Sequence, residues 1–186
     1  MIQTVIGAMK AIMQLRVLYQ LLYSYVFGAT LWGSFIQGFI AFRALPRQQF
    51  GMLQFKTFPV FFSTSTAITA ALLGIWAASH PEVRAAPLDL GNSPVVAQAW
   101  LLAFTVISHA SNLLYLGPKT SEVMFERHKL ERAEKKQYSD PTASAEMKAL
   151  NKSFGMLHGI SSLVNLFSFL CMLAHGVWLG SRNEAL

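Results

Sequence analysis

Charged residues are confined to short segments that separate four long apolar runs. These runs contain no Asp, Glu, Lys or Arg, and they cover residues 17–42, 57–79, 95–117 and 154–180. At 1.5 Å per residue, each run makes a helix of roughly 35–40 Å, which is enough to cross a hydrocarbon core. The pattern therefore predicts an all-α fold, a bundle of four transmembrane helices that forms a single membrane domain over residues 1–186.

The composition points to the same class of protein. Apolar residues make up 53% of the chain and charged residues only 13%, whereas soluble domains carry about 25% charge. The net charge of +6 resides mostly in the segments that flank the apolar runs, as in a membrane protein of fixed orientation. We therefore expect the lipid bilayer, and no nucleic acid, as its environment and partner.

The segment before the first run has its own pattern. Residues 1–16 carry apolar side chains at helical spacing, with Lys10 and Arg16 as the only charges. This pattern predicts an amphipathic N-terminal helix at the membrane interface, with an organelle-targeting sequence as the alternative. The first run is far longer than the apolar part of a cleavable signal peptide, so we expect it to remain as an anchor.

The basic residues predict the orientation. Four spans place both termini and the second connection on one face, which holds Lys10, Arg16, Arg84 and Arg182. The other face holds eleven basic residues: Arg43, Arg47, Lys56, Lys119, Arg127, Lys129, Arg132, Lys135, Lys136, Lys148 and Lys152. Because retained positive charge marks the cytosolic side, the face with eleven should be cytosolic. The aromatic residues near the opposite ends of the spans predict an interfacial belt: Tyr19, Tyr23, Trp76, Trp100 and Trp178.

The connection between the third and fourth spans is long and charged. Gly117-Pro118 is expected to end the third helix, because proline cannot continue the backbone hydrogen bonds. Opposite charges four apart at Arg127 and Glu131, followed by a helix start at Asp140-Pro141, indicate two short helices. We therefore predict a charged cytosolic helical hairpin over residues 118–153, either as a solvated cap or as a docking surface for a protein partner.

Polar side chains inside the spans recur at a similar depth, near the ends that we expect to be cytosolic. The candidate residues are Gln37, Ser63, His109, Asn112, His158, Ser162 and Asn165. Polar groups within a bilayer are costly, so they should face the bundle interior or a wet cavity. They form either hydrogen bonds between helices or a polar pocket that opens to the cytosol.

Two pairs of residues are weak candidates for binding a metal or cofactor. His109 and His158 lie at similar depth on consecutive helices, where two histidines can ligate haem iron. Cys171 and His175 lie one helical turn apart and could bind a soft metal ion, although two ligands are too few for a site. We predict no cofactor, with haem as the alternative.

Catalytic motifs are absent from the sequence. The spans contain no Asp or Glu for a proton relay, and the chain has no His-Glu-x-x-His motif, nucleophile elbow or phosphate-binding loop. We therefore predict that the protein is not an enzyme.

Three motifs resemble those of the transmembrane protein 205 family. The first runs from Phe42 to Pro59, the second joins Asn112 to Pro118-Lys119-Thr120, and the third covers residues 154–166. The positions that carry the resemblance include Arg43, Pro46, Arg47, Phe50, Gly51, Lys56, Pro59, Pro118, Thr120 and Gly159. The charged loop and the leader are more similar to fungal-type members than to animal ones.

The resemblance implies four spans, a eukaryotic endomembrane or plasma membrane location, and no established reaction; a mitochondrial membrane is the alternative. The leading hypothesis is a protein that binds or transports a small solute or ion, or an accessory subunit. The alternatives are a haem- or redox-cofactor-binding subunit and a scaffold that acts through residues 118–153.

Overall fold

The structure, a computed structural model, describes residues 14–182. Within this range there are no strands, and one short helix, α3 (Pro81–Ala85), accompanies four long ones. The long helices are α1 (Leu15–Ala44), α2 (Arg47–Ser79), α4 (Pro94–Glu134) and α5 (Ala145–Ser181). Each is long and apolar enough to cross a membrane. The predicted all-α fold with four spans is confirmed, whereas most of the predicted leader helix over residues 1–16 lies outside the described range.

The four long helices form a bundle. Helix α2 packs against α1 and α4, and α5 packs against α4 and α1. We call the end that holds the α1–α2 connection and the charged hairpin the basic end. The interior at the opposite end is a hydrophobic cluster of Tyr19, Tyr23, Val26, Leu72, Trp76, Ala99, Leu102 and Met172.

Prolines set two of the helix boundaries. Leu45 precedes Pro46 and is extended, with φ −113° and ψ 143°. His80 precedes Pro81 and is also extended, with φ −124° and ψ 94°. The proline ring disfavours helical geometry for the residue before it, so α1 and α2 end at these points.

Serine side chains begin the other two spans. Ser93 accepts a hydrogen bond from the backbone N–H of Val96 at 3.4 Å, and Pro94 occupies the first helical position of α4. Ser144 accepts one from the N–H of Met147 at 3.0 Å, and α5 starts directly after it. Both serines satisfy N–H groups that the first helical turn leaves without a partner.

Helix α4 does not end at Gly117-Pro118. It passes through a π-helical segment, Asn112–Leu116, and continues to Glu134. The N–H of Gly117 bonds to the carbonyl of Asn112, five residues back, and the wider π turn accommodates the proline ring. The prediction that the third helix ends here is therefore wrong.

The charged hairpin also differs in detail from the prediction. Asp140-Pro141 lies in turns, and α5 runs unbroken from Ala145, so no separate second helix exists in this described part of the chain. The N–H and hydroxyl of Thr142 both donate to Oδ1 of Asp140 at 2.7 Å, which holds the pKa of this carboxyl below its usual range. The hairpin therefore consists of extensions of α4 and α5, joined by residues 135–144.

Gly117 has no space for a side chain, and this makes the π segment testable. A Cβ at Gly117 would lie 2.6 Å from the carbonyl oxygen of Asn112, whereas a Cβ at Gly155 on α5 would have nothing within 4 Å. We expect Gly117→Ala to destabilise the protein by about 1–3 kcal/mol, because backbone must shift. Gly155→Ala, the matched control, should have little effect.

The single cysteine provides the measurement. Cys171 is buried, so a thiol-reactive dye that labels it only on unfolding reports an apparent melting temperature. Equal melting temperatures for the two variants would contradict the assigned role of Gly117.

Candidate functional site

The interior near the opposite end contains a hydrogen-bonded chain of three buried side chains. The hydroxyl of Tyr19 lies 2.7 Å from Nε2 of His175, and Nδ1 of His175 lies 2.9 Å from Oε1 of Gln98. Because an amide oxygen only accepts, Nδ1 carries the proton, and Nε2 accepts from the Tyr19 hydroxyl. The chain joins α1, α5 and α4 and uses both ring nitrogens of a neutral histidine.

These contacts bear on the metal candidates. Cys171 and His175 are both buried, but both nitrogens of His175 already have partners. A metal ion at this pair would have to replace one of the two hydrogen bonds. Among the described residues, no group of three His, Cys, Asp or Glu side chains is arranged to hold a metal ion.

Towards the basic end the interior changes from aromatic to polar. The buried polar residues of this region, which we call the polar zone, are Thr30, Ser65, Thr69, Thr105, Ser108, His109, Asn112 and Ser168. They come from all four spans, with Thr30 on α1, Ser65 on α2, His109 on α4 and Ser168 on α5. Most lie about 8–14 residues inside the apolar runs, counted from the basic end, which is close to mid-membrane.

Part of the polar zone and its rim is hydrogen-bonded between helices. Ser161 donates to Oδ1 of Asn112 at 2.5 Å, and Nδ2 of Asn165 donates to the Ser34 hydroxyl at 2.5 Å. Nε2 of His109 lies 3.2 Å from the hydroxyl of Ser168. These bonds join α5 to α4 and to α1, as the interhelical interpretation predicts.

Other buried groups of the zone make no hydrogen bond. They are the hydroxyls of Thr30, Ser65 and Thr69. The hydroxyl of Thr105, by contrast, donates to the carbonyl of Leu101 in its own helix. The zone therefore combines satisfied interhelical pairs with hydrogen-bonding groups that lack partners.

The structure brings together only some of the residues predicted to line a pocket. His109 and Asn112 are buried, and Asn165 and Gln37 are half-buried. The other three are exposed on helix surfaces: Ser63, His158 and Ser162. The predicted pocket thus stays a prediction, centred on the residues that face the interior.

The two candidate haem histidines have different environments. His109, on α4, is buried and contacts Ser168 on α5. The ring of His158, on α5, stacks on the ring of Phe154 with 5.7 Å between centroids. Haem ligation by this pair stays the alternative to the prediction of no cofactor.

At the basic end, the start of α2 is tied to the charged hairpin. Arg47 donates to Oε1 of Glu131 at 3.2 Å, and its guanidinium carbon lies 3.2 Å from the centre of the Tyr138 ring. The N–H of Tyr138 donates to the same Glu131 oxygen at 2.9 Å. Arg127, which is buried, lies over the rings of Tyr138 and Phe154 at 4.5 and 4.4 Å.

These contacts explain two positions of the motif that follows the first span. Arg47 makes the ion pair just described, and Gly51 is buried where α2 meets α4. A Cβ at Gly51 would lie 2.8 Å from Sδ of Met124 and 3.3 Å from the ring of His128. The motif therefore positions the charged hairpin on the bundle.

The sequence did not reveal the Tyr19–His175–Gln98 chain or the depth of the polar zone. Tyr19, Tyr23 and Trp76, predicted to form an interfacial belt, are instead buried in the core. The spacing of Ser65, Thr69, Leu72 and Trp76 on one face of α2 was the available signal, because a face that combines large and polar residues faces inward.

Comparison with known proteins places the chain in a family. The model of a domain of unknown function, DUF4149, matches residues 21–129. Transmembrane protein 205 from Danio rerio is 27% identical over 180 residues, which cover 88% of this chain and 90% of that relative. No solved structure matches the chain. The protein is thus a multi-pass membrane protein that belongs to the DUF4149 family, with transmembrane protein 205 among its relatives.

Proposed function

We propose that the protein binds a small, neutral, hydrogen-bonding solute in the polar zone and passes it across the membrane. The observation that carries the proposal is the set of buried hydroxyls without partners on α1 and α2, at Thr30, Ser65 and Thr69. They lie at the depth of His109, whose Nε2 contacts the Ser168 hydroxyl. A transport-related function accounts for this combination better than helix packing alone.

The energetic argument rests on the cost of such groups. A buried polar group without a hydrogen bond costs roughly 1–3 kcal/mol, and replacement by an apolar group of the same shape removes this cost. Hydrogen bonds that hold helices together, such as Asn112–Ser161, pair polar groups with one another. Helix packing alone therefore does not require buried hydroxyls without partners. A solute that both donates and accepts hydrogen bonds would satisfy these hydroxyls.

The charge of the zone favours a neutral solute over an ion. The four apolar runs contain no Asp, Glu, Lys or Arg, so no charged side chain within them could balance an ion in low dielectric. Hydroxyls and a neutral imidazole suit neutral solutes with the polarity of water, glycerol or urea. An accessory-subunit role, a protein partner at residues 118–153 and the lack of catalysis stay predictions. The scaffold and the cofactor-binding subunit stay alternatives.

Solute flux through proteoliposomes tests the proposal. We expect the wild-type protein to accelerate glycerol or urea equilibration, followed by stopped-flow light scattering, over protein-free liposomes. The variant Thr30→Val/Ser65→Ala/Thr69→Val should lose this acceleration by about tenfold, since it removes three hydrogen-bonding groups from the path.

The chain offers a matched control. The variant Thr66→Val/Ser111→Ala/Thr120→Val also removes two threonine hydroxyls and one serine hydroxyl. These hydroxyls, however, donate to the carbonyls of Phe62, Ile107 and Leu116 in their own helices. The control should keep the wild-type flux. Two results would rule out the proposal. One is a flux of water, glycerol and urea no higher than that of empty liposomes, and the other is an equal loss of flux in both variants.

A further inference from the structure

A groove of about 670 Å³ lies at the basic end, between the start of α2 and the loop of the charged hairpin. Four basic side chains line it, namely Arg47, Arg132, Lys135 and Lys136, together with one acidic side chain, Glu131. Arg132, Lys135 and Lys136 are exposed. The groove therefore offers several cations to a ligand that reaches it from the aqueous side.

The acidic groups near the groove already have partners. Glu131 accepts from Arg47 and from the N–H of Tyr138. Asp140 accepts from Thr142, and among the described contacts of Lys136 is a bond to the Thr142 carbonyl at 3.0 Å. Positive charge thus exceeds negative charge in the groove by three.

The backbone adds donors to the same groove. The helical ladder of α2 begins with the N–H of Phe50, which bonds to the carbonyl of Pro46 at 2.9 Å. The N–H groups of Arg47, Gln48 and Gln49 precede this bond, and no side chain caps them. The positive end of the α2 dipole therefore adds to the positive charge of the basic side chains. It also offsets the negative end of the α4 dipole, which lies at Glu134.

The groove lies beyond the end of the α1 apolar run in the sequence. The apolar run of α1 ends at Phe42, five residues before Arg47. Phe39 and Ile40 are exposed, and with Arg43 and Ala44 they line a second groove of about 400 Å³ near the end of α1. Arg47 precedes the apolar run of α2 by ten residues, and Arg132 follows that of α4 by fifteen, so the basic groove lies on the aqueous side of the spans.

We propose that the basic groove binds a phosphate-bearing anion, supplied by an anionic phospholipid headgroup that projects from the bilayer surface. Arg132 and the two lysines make charge-assisted hydrogen bonds to the phosphate oxygens, and the first N–H groups of α2 complete the shell. The site is separate from the polar zone, so it is independent of the solute proposal.

Competition binding on the purified full-length protein tests this site. A fluorescent phosphatidylinositol 4-phosphate at low density in neutral micelles serves as the probe. Unlabelled phosphatidylinositol 4-phosphate should displace it at least about tenfold better than phosphatidylcholine, because its monoester phosphate offers additional negative charge for charge-assisted hydrogen bonds in the groove. The variant Arg132→Gln/Lys135→Gln/Lys136→Gln should bind about tenfold more weakly or worse, because it removes three charge-assisted hydrogen bonds to the phosphate.

Two further variants separate the site from general charge and from folding. Lys129→Gln/Lys148→Gln/Lys152→Gln removes three charges from the same hairpin outside the groove, and it should bind nearly as tightly as wild type. Gln48→Glu/Gln49→Glu places carboxylates at the start of α2, where acidic residues favour the helix, so it should weaken binding without lowering the melting temperature.

Soluble competitors distinguish a lipid headgroup from a free phosphate compound as the source of the phosphate. Inositol 1,4-bisphosphate and inorganic phosphate should compete far less well than the lipid; equal competition would keep the phosphate site but assign it to a soluble ligand. Displacement by phosphatidylcholine as strong as by the anionic lipid, or equal losses in the two lysine-containing triple variants, would overturn the proposal.

Discussion

Replacement of His175 by leucine should lower the melting temperature more than the loss of any other single hydrogen-bonding side chain in the bundle. The variant leaves the Tyr19 hydroxyl and the Gln98 amide without their partners, and both side chains are buried. Each unsatisfied group costs roughly 1–3 kcal/mol, so we expect a loss of about 3–5 kcal/mol. Dye labelling of Cys171 during a thermal ramp in detergent measures the shift.

A second substitution checks the cause. Tyr19→Phe removes the hydroxyl that His175→Leu leaves unpaired, so the double variant should recover part of the stability, as a double-mutant cycle would show. His158→Leu is the matched control, because it changes the same residue type on the same helix at an exposed position. Equal melting temperatures for His158→Leu and His175→Leu would refute the role of the chain.

In the polar zone, by contrast, we expect substitutions to raise the melting temperature. Thr30→Val/Thr69→Val removes two buried hydroxyls that have no partner, and valine has nearly the shape of threonine. The variant should gain roughly 1–3 kcal/mol for each site, which raises the melting temperature by several degrees. The same Cys171 labelling measures it.

Thr66→Val/Thr120→Val is the control for this prediction. Those hydroxyls donate to carbonyls that keep their helical partners, so the melting temperature should change little. A lower melting temperature for Thr30→Val/Thr69→Val would mean that the hydroxyls stabilise the bundle by themselves. A higher one together with lost flux would show that these residues cost stability and serve function.

The sequence predicted the number and type of elements well. A segment of more than twenty residues without charge suits the lipid interior, and lipid offers no hydrogen bonds to the backbone, so the segment must form a helix. It was less informative about continuity. The proline at Pro118 argues for a helix end unless a π segment precedes it. That segment begins at Asn112, which bonds to Ser161 across the bundle, a contact between distant parts of the chain that no local pattern predicts.

Helical spacing also left open which face of α5 looks inward. His158, Ser162 and Asn165 share a face, but the buried residues are centred on Ser168 and His175. At 3.6 residues per turn, these two lie roughly 80–100° around the helix from His158. Only the packing partners on α4 and α1 determine this rotation, so a sequence pattern alone could not place the site.

The two π segments, Trp32–Gln37 in α1 and Asn112–Leu116 in α4, have a consequence for the history of the family. A π turn holds one residue more than the α-helical turn that it replaces. Each segment is therefore equivalent to a single-residue insertion that a spanning helix absorbed locally, so that residues on either side kept their neighbours. Relatives that lack the extra residue should align with a one-residue gap at these two places and nowhere else within the first and third spans.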